Sequence, residues 1–129
     1  MGQQQLLLVV LGVIVVGLAV TIGIFVFRQN AIDQKRDLVM NECNNIAGLA
    51  LKYYKKPTTY GGGGSTSFQG FNVPGDLAVT SSGSYLATAF QDSIIIIGTG
   101  NDVVSGTDSI KIRTVLSTVD FIPRSTIIN

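Results

Sequence analysis

Residues 6–27 read LLLVVLGVIVVGLAVTIGIFVF, 22 consecutive positions without a charge in which Thr21 is the only polar side chain. As an α-helix rising about 1.5 Å per residue, the run covers roughly 33 Å, enough to cross the hydrocarbon core of a bilayer. Water is a poor surrounding for such a segment, so it is to be removed, held in lipid or covered by other protein. Removal as a signal peptide fits badly. Residues 1–5 contain no Lys or Arg, and the apolar run exceeds the about 7–15 residues of a signal peptide's core. Two readings remain: a one-pass membrane anchor, and a helix that sits first in a membrane and afterwards in a protein assembly.

The sequence on the C-terminal side of this run continues as helix. No proline occurs in residues 28–56, and Ile32, Val39, Cys43, Ile46, Ala50 and Tyr53 follow one another at intervals of 7, 4, 3, 4 and 3. Those intervals place all six on one stripe of a helix. Asp33, Asp37, Asn41, Asn44, Lys52 and Lys55 fall mostly outside it, and Pro57 is where the helix cannot easily continue. The prediction is one element of about 50 residues, roughly 75 Å long, whose first half is apolar all round and whose second half has one face to bury. In the first half, successive turns of 100° bring Gly12, Ala19 and Gly23 to one side, with Gly17 and Thr21 on the other. Small residues let helix backbones approach closely in an apolar medium. Gly17 and Gly23 also lower helix propensity by about 1 kcal/mol each, so this part could stretch within an assembly.

Residues 57–75, PTTYGGGGSTSFQGFNVPG, are a connecting loop by composition. The four glycines 61–64 lack the following GK[ST] of a phosphate-binding loop, so a flexible, solvated connection is expected, with Tyr60, Phe68 and Phe71 pinning it. From residue 76 the pattern is β. Strands are expected at 77–80, 84–91, 93–98 and 109–117, with turns at 81–83 and 98–102, and a last edge strand from 119–122 and 126–128 around Pro123. In 109–117, Ile110, Ile112, Thr114 and Leu116 alternate with Lys111 and Arg113, as in a sheet covered on one side. The unbroken Ile94–Ile97 run reads as a central strand buried on both faces. A single sheet of this size needs a second layer, and the stripe from Ile32 to Tyr53 supplies it. The fold class is therefore α+β, in four segments: 1–27 apolar half-helix, 28–56 packed half-helix, 57–75 loop, and 76–129 antiparallel sheet.

Composition narrows the function. The 129 residues are 46% hydrophobic and 13% charged, with no His, no Trp and one Cys. That excludes a disulfide framework, a Cys/His zinc cluster and any histidine-based triad. With Lys plus Arg at 9 and Asp plus Glu at 8, the net charge of +1 gives no general field for a nucleic acid. No cofactor and no catalytic residue is expected.

This layout resembles the type IV pilins and their pseudopilin and archaeal filament relatives: LLLVVLGVIVVGLAVTIGIFVF as the projecting half-helix, AIDQKRDLVMNECNNIAGLALKYYKK as the packed half, a loop, then a sheet. The resemblance covers the whole chain in layout and rests on little motif. It implies a subunit stored in the cytoplasmic membrane, then extracted by pilus-type assembly machinery into a homopolymeric extracellular filament. The apolar half-helices would form the core, and Leu6, Leu7, Gly12, Gly17, Ala19, Gly23, Phe25 and Phe27 would pack between subunits. In place of the glutamate that many members carry at the fifth mature position, this chain has Gln5, or Leu7 if cleavage follows Gly2. Gln3, Gln4 and Gln5 either bond one another and buried helix-end amides in an assembly or cap the segment at headgroup level. Arg28, Lys35 and Arg36 would by the positive-inside tendency keep the sheet domain in the cytoplasm, whereas the resemblance implies the outside.

Other residues have plainer readings. Cys43 lies on the packing stripe and is expected to be a buried, inert thiol. Phe25, Phe27, Tyr53 and Tyr54 are expected to serve interface and core rather than charge conduction. Asp102 and Asp108 match no EF-hand spacing, and Asp37 and Glu42 are expected on a solvated face. The alternative to a filament is an anchored periplasmic binding or accessory module that does not polymerise.

Overall fold

A computed structural model of the chain describes residues 2–105 and 108–128; for Asp102, Val104 and Ser105 only the backbone is described. Helix α1 is Gly2–Lys55, 54 residues without interruption. A short 3-10 turn, Thr58–Tyr60, and a four-residue helix α2, Gly75–Ala78, lead to strands β1 (Gly83–Ala89), β2 (Ser93–Ser105), β3 (Asp108–Ser117) and β4 (Arg124–Ile127). The strands form one sheet in the order β1-β2-β3-β4, every neighbouring pair antiparallel. This is the α+β class expected from the sequence. The chain divides into two compact units, Met1–Asp33 and Gln34–Asn129.

In the second unit the stripe of α1 is buried as the spacing predicts. Val39, Cys43, Ile46 and Ala50 are almost completely buried, and Ala47, which the spacing overlooked, joins them. They meet the inward residues of the sheet: Tyr85 from β1, Ile94 and Ile96 from β2, and Ile110, Ile112, Thr114 and Leu116 from β3. Tyr53 is half-buried at the edge of this core. Ile32, predicted to share this packing, is half-exposed, belongs to the first unit and is not among the residues of the core cluster.

The strand expected at residues 77–80 is instead α2 followed by a single bridge, Val79 to Ser84. Pro74 starts that turn, and the Leu77 and Ala78 amides both donate to its carbonyl, each at 2.9 Å. The turn expected at residues 98–102 does not exist, because β2 runs on through it. Gly98 and Gly100 are close-packing positions: a Cβ at Gly98 would come within 2.7 Å of Cys43 Sγ and 2.8 Å of Val39 Cγ1. Glycine here serves the approach of the helix rather than a reversal of the chain. The Ile94–Ile97 run is buried on one face only, since Ile94 and Ile96 point inward while Ile95 and Ile97 are half-exposed. Residues 119–122 are turn and loop, and β4 starts directly after Pro123, where the missing N–H no longer interrupts a ladder.

The glycine-rich loop is more ordered than its composition suggests. The Gly63 amide donates to Tyr53 O at 2.9 Å, Ser65 to Tyr54 O at 2.7 Å and Gly64 to Lys56 O at 2.8 Å. These bonds satisfy carbonyls that the end of a helix leaves without partners. Phe68 and Phe71 are buried and hold the loop down, as expected, whereas Tyr60 is exposed.

Candidate functional site

The first unit contains no internal shelter for its side chains. Every residue from 2 to 31 is exposed. Between residues 6 and 27, seventeen large apolar side chains retain 49–75% of their accessible surface, from Val26 to Phe27. Mean hydropathy reaches 3.0 over an 18-residue window, none of it buried. The helix is thus long and apolar enough to cross a membrane. Its single polar side chain in this stretch is satisfied locally, because the Thr21 hydroxyl donates to Gly17 O at 2.9 Å. A Cβ at Gly12, Gly17 or Gly23 would meet nothing within 4 Å, so these positions are shallow places on the helix open to a neighbour. Leu6, Leu7, Ala19, Phe25 and Phe27, named with those glycines as packing positions, are all exposed. Gln3, Gln4 and Gln5 are exposed as well, and Gln3 and Gln4 border a shallow hollow with Leu7 and Leu8.

Glu42 is half-buried and accepts a bond from the Thr80 hydroxyl at 2.9 Å, which ties α1 to the turn before β1. Partial burial works to raise its pKa, but the hydroxyls of Tyr85, Thr80 and Ser82 around the carboxylate outweigh this and hold it lowered. The Tyr85 hydroxyl is buried and completes no hydrogen bond of good geometry. Burial, and after it the adjacent Glu42 charge, raise the Tyr85 pKa. Asp37 is exposed as expected, whereas Glu42, expected with it on a solvated face, is the half-buried partner of Thr80. Cys43 is buried and its thiol is pushed up to about 11, first by desolvation, which suppresses the reactive thiolate.

Among the described residues no cluster of three His, Cys, Asp or Glu could hold a metal ion. The side chain of Asp102, paired in the sequence reading with Asp108, lies outside them. Tyr53 and Tyr54 join an aromatic group with Phe71, Phe68 and Phe121, at ring separations of 5.7, 4.7 and 5.5 Å respectively. Phe25 and Phe27 belong to the other unit.

The outer face of the sheet carries features that the strand pattern alone did not reveal. Leu86 is 68% exposed and, with Val79 and Ile97, lines a hollow beside β1. Lys111, Arg113 and Arg124 lie on the same face by alternation, and Arg124 is bonded to Asp120 at 2.7 Å. No protein-family model matches the chain, and comparison with curated proteins and with solved structures found no match.

Proposed function

We propose that this protein is the structural subunit of a homopolymeric, type IV pilus-like filament, held in a membrane before assembly and built into an extracellular fibre by mutual burial of its N-terminal helices. The observation that carries the reading is the first unit itself: a helix apolar around its whole circumference, with none of its apolar span buried among the described residues. Lipid covers such a surface while the subunit is stored, and identical helices cover it in a polymer. Small residues at Gly12, Gly17, Ala19 and Gly23 favour helix-to-helix contact, because the van der Waals gain of close approach is what lipid cannot supply equally well. The second unit has a core of its own. On this reading the chain has no catalytic activity, no cofactor and no nucleic-acid partner, and its partners are copies of itself and an assembly apparatus.

The same helix also suits a one-pass anchor carrying a module that never polymerises, since one membrane-length helix serves both. Ala19→Asp separates the readings. A charge in the middle of the span costs about 3 kcal/mol in lipid and leaves an unpaired carboxylate in a helix bundle. In the filament reading, material sheared from expressing cells contains fibres with the wild-type chain and with Lys52→Glu, and none with Ala19→Asp. Fibres of normal appearance from Ala19→Asp, or none from the wild type under any condition, would overturn the filament.

A further inference from the structure

Among the described residues no strand covers the outer edge of β4, and the outer edge of β1 is covered only at its start, so the second half of β1 lacks the devices by which exposed edges usually avoid pairing. Residues 83–90 contain no charge and no proline. The Phe90 amide donates to Ser93 O, and the Asn101 amide to Ser82 O. Alternation then turns the amides and carbonyls of Ala87 and Ala89 away from β2, toward the open side, while Tyr85, which has the same backbone orientation, is buried. Near Gly83 this side is closed by the Val79–Ser84 bridge and the Thr80 amide bonded to Gly83 O. At the opposite edge, the Ile128 amide donates to Lys111 O, so Ser125 and Ile127 present their backbone groups outward.

We propose that the β1 edge receives strand β4 of a second copy of this chain held in the same orientation, extending the sheet from one subunit to the next. This inference rests on the filament reading, in which all subunits point one way. Four successive antiparallel strands make β1 and β4 of one sheet run in opposite directions, so the β4 of an identically oriented copy arrives antiparallel to β1. Two β1 edges could pair antiparallel only if one copy were reversed. Ala87 set opposite Ile127 of the second copy, and Ala89 opposite Ser125, gives about four inter-copy hydrogen bonds by the antiparallel rule. All four residues share the helix-covered face, so both copies keep α1 on one side. The register stops short of the Val79 bridge. It also brings Arg124, 77% exposed, beside Phe90 and the exposed hairpin tip at Asp92, a cation against an aromatic ring and a carboxylate.

A seam of this size is well below the about 1,000 Å² that a stable isolated interface buries, so it holds only where many subunits are already aligned. Thr88 and Thr126 are exposed on the outer face and become direct neighbours across the seam. Within one chain they are separated by β2 and β3, roughly 14 Å at ordinary strand spacing, too far for a disulfide. The test is Thr88→Cys/Thr126→Cys in the full chain, oxidised in membranes of expressing cells and in sheared fibres. A ladder of linked dimers, trimers and longer species is expected. Adding Ala87→Pro, which removes an outward amide without touching the β1–β2 ladder, should reduce the linked fraction at least fivefold while leaving the folded domain intact by circular dichroism. Fibres that form without a ladder, a ladder indifferent to Ala87→Pro, or linkage that stops at dimers would each overturn the seam and leave the filament standing. A ladder in membranes without any fibres would support the seam and remove the filament.

Discussion

Two residues show how local chemistry is committed to joining helix and sheet. At Gly98 a side chain would enter the space of Cys43, Val39 and Tyr85, with approaches of 2.7, 2.8 and 2.9 Å. Gly98→Ala should therefore cost about 1–3 kcal/mol through overpacking. Gly48 provides the contrast, since a Cβ there meets nothing within 4 Å and the residue sits in mid-helix. Gly48→Ala should stabilise by about 0.5–1 kcal/mol, and chemical denaturation of the two variants reads both signs at once. Glu42 sets a pH dependence. Its folded pKa is lowered from the ordinary 4.5, so its contribution to stability is present above that value and is lost as pH falls through the lower folded one. Glu42→Gln should flatten the acid limb of the stability curve below about pH 4.5 and leave the neutral plateau unchanged in slope. An acid limb as steep in the variant as in the wild type would show that the Thr80 bond does not carry it.

The elements differ in how openly the sequence announced them, and the differences have physical causes. Helix α1 was legible because 3.6-residue spacing and an unbroken apolar run are patterns of the chain alone, and β3 because Lys111 and Arg113 alternate with inward residues. Residues 98–102 misled because glycine in a turn and glycine under a packed helix look alike in sequence; only the position of Val39 and Cys43 over Gly98 distinguishes them. For the same reason the glycines at 61–64 read as slack chain. They are a tight cover on the end of α1: a Cβ on Gly63 would collide with the Ser67 carbonyl, and a Cβ on Gly62 with that of Lys56. Gly63→Ala should thus destabilise by about 2–3 kcal/mol, comparable with a core defect, where a solvated linker would lose a few tenths. Thermal melts of this variant beside Gly61→Asn, a residue that tolerates the positive φ of 84° at that position, distinguish cap from linker.

The whole molecule joins two solvents' worth of chemistry in one chain, and the boundary between them falls near residue 33. Every buried apolar residue, from Val39 to Leu116, lies in Gln34–Asn129, while the first unit has none among its described residues. The exposed apolar helix was legible in the sequence as a place, because 22 uncharged positions need no structure to be noticed, but the sheet edges were not, because backbone groups leave no mark in side-chain pattern. A division this complete implies that the first unit contributes little to the stability of the second. A chain beginning at residue 34 should fold with a single cooperative transition and retain its melting midpoint within a few degrees, equivalent to a change of about 1 kcal/mol or less. It should also remain monomeric at concentrations where the full chain, with detergent withdrawn, sediments as polymer. Circular dichroism and analytical ultracentrifugation examine both halves of that expectation. A truncated chain that is unfolded would mean that the first unit helps maintain the second, and one that still polymerises would move the principal assembly contact from the apolar helix to the sheet domain.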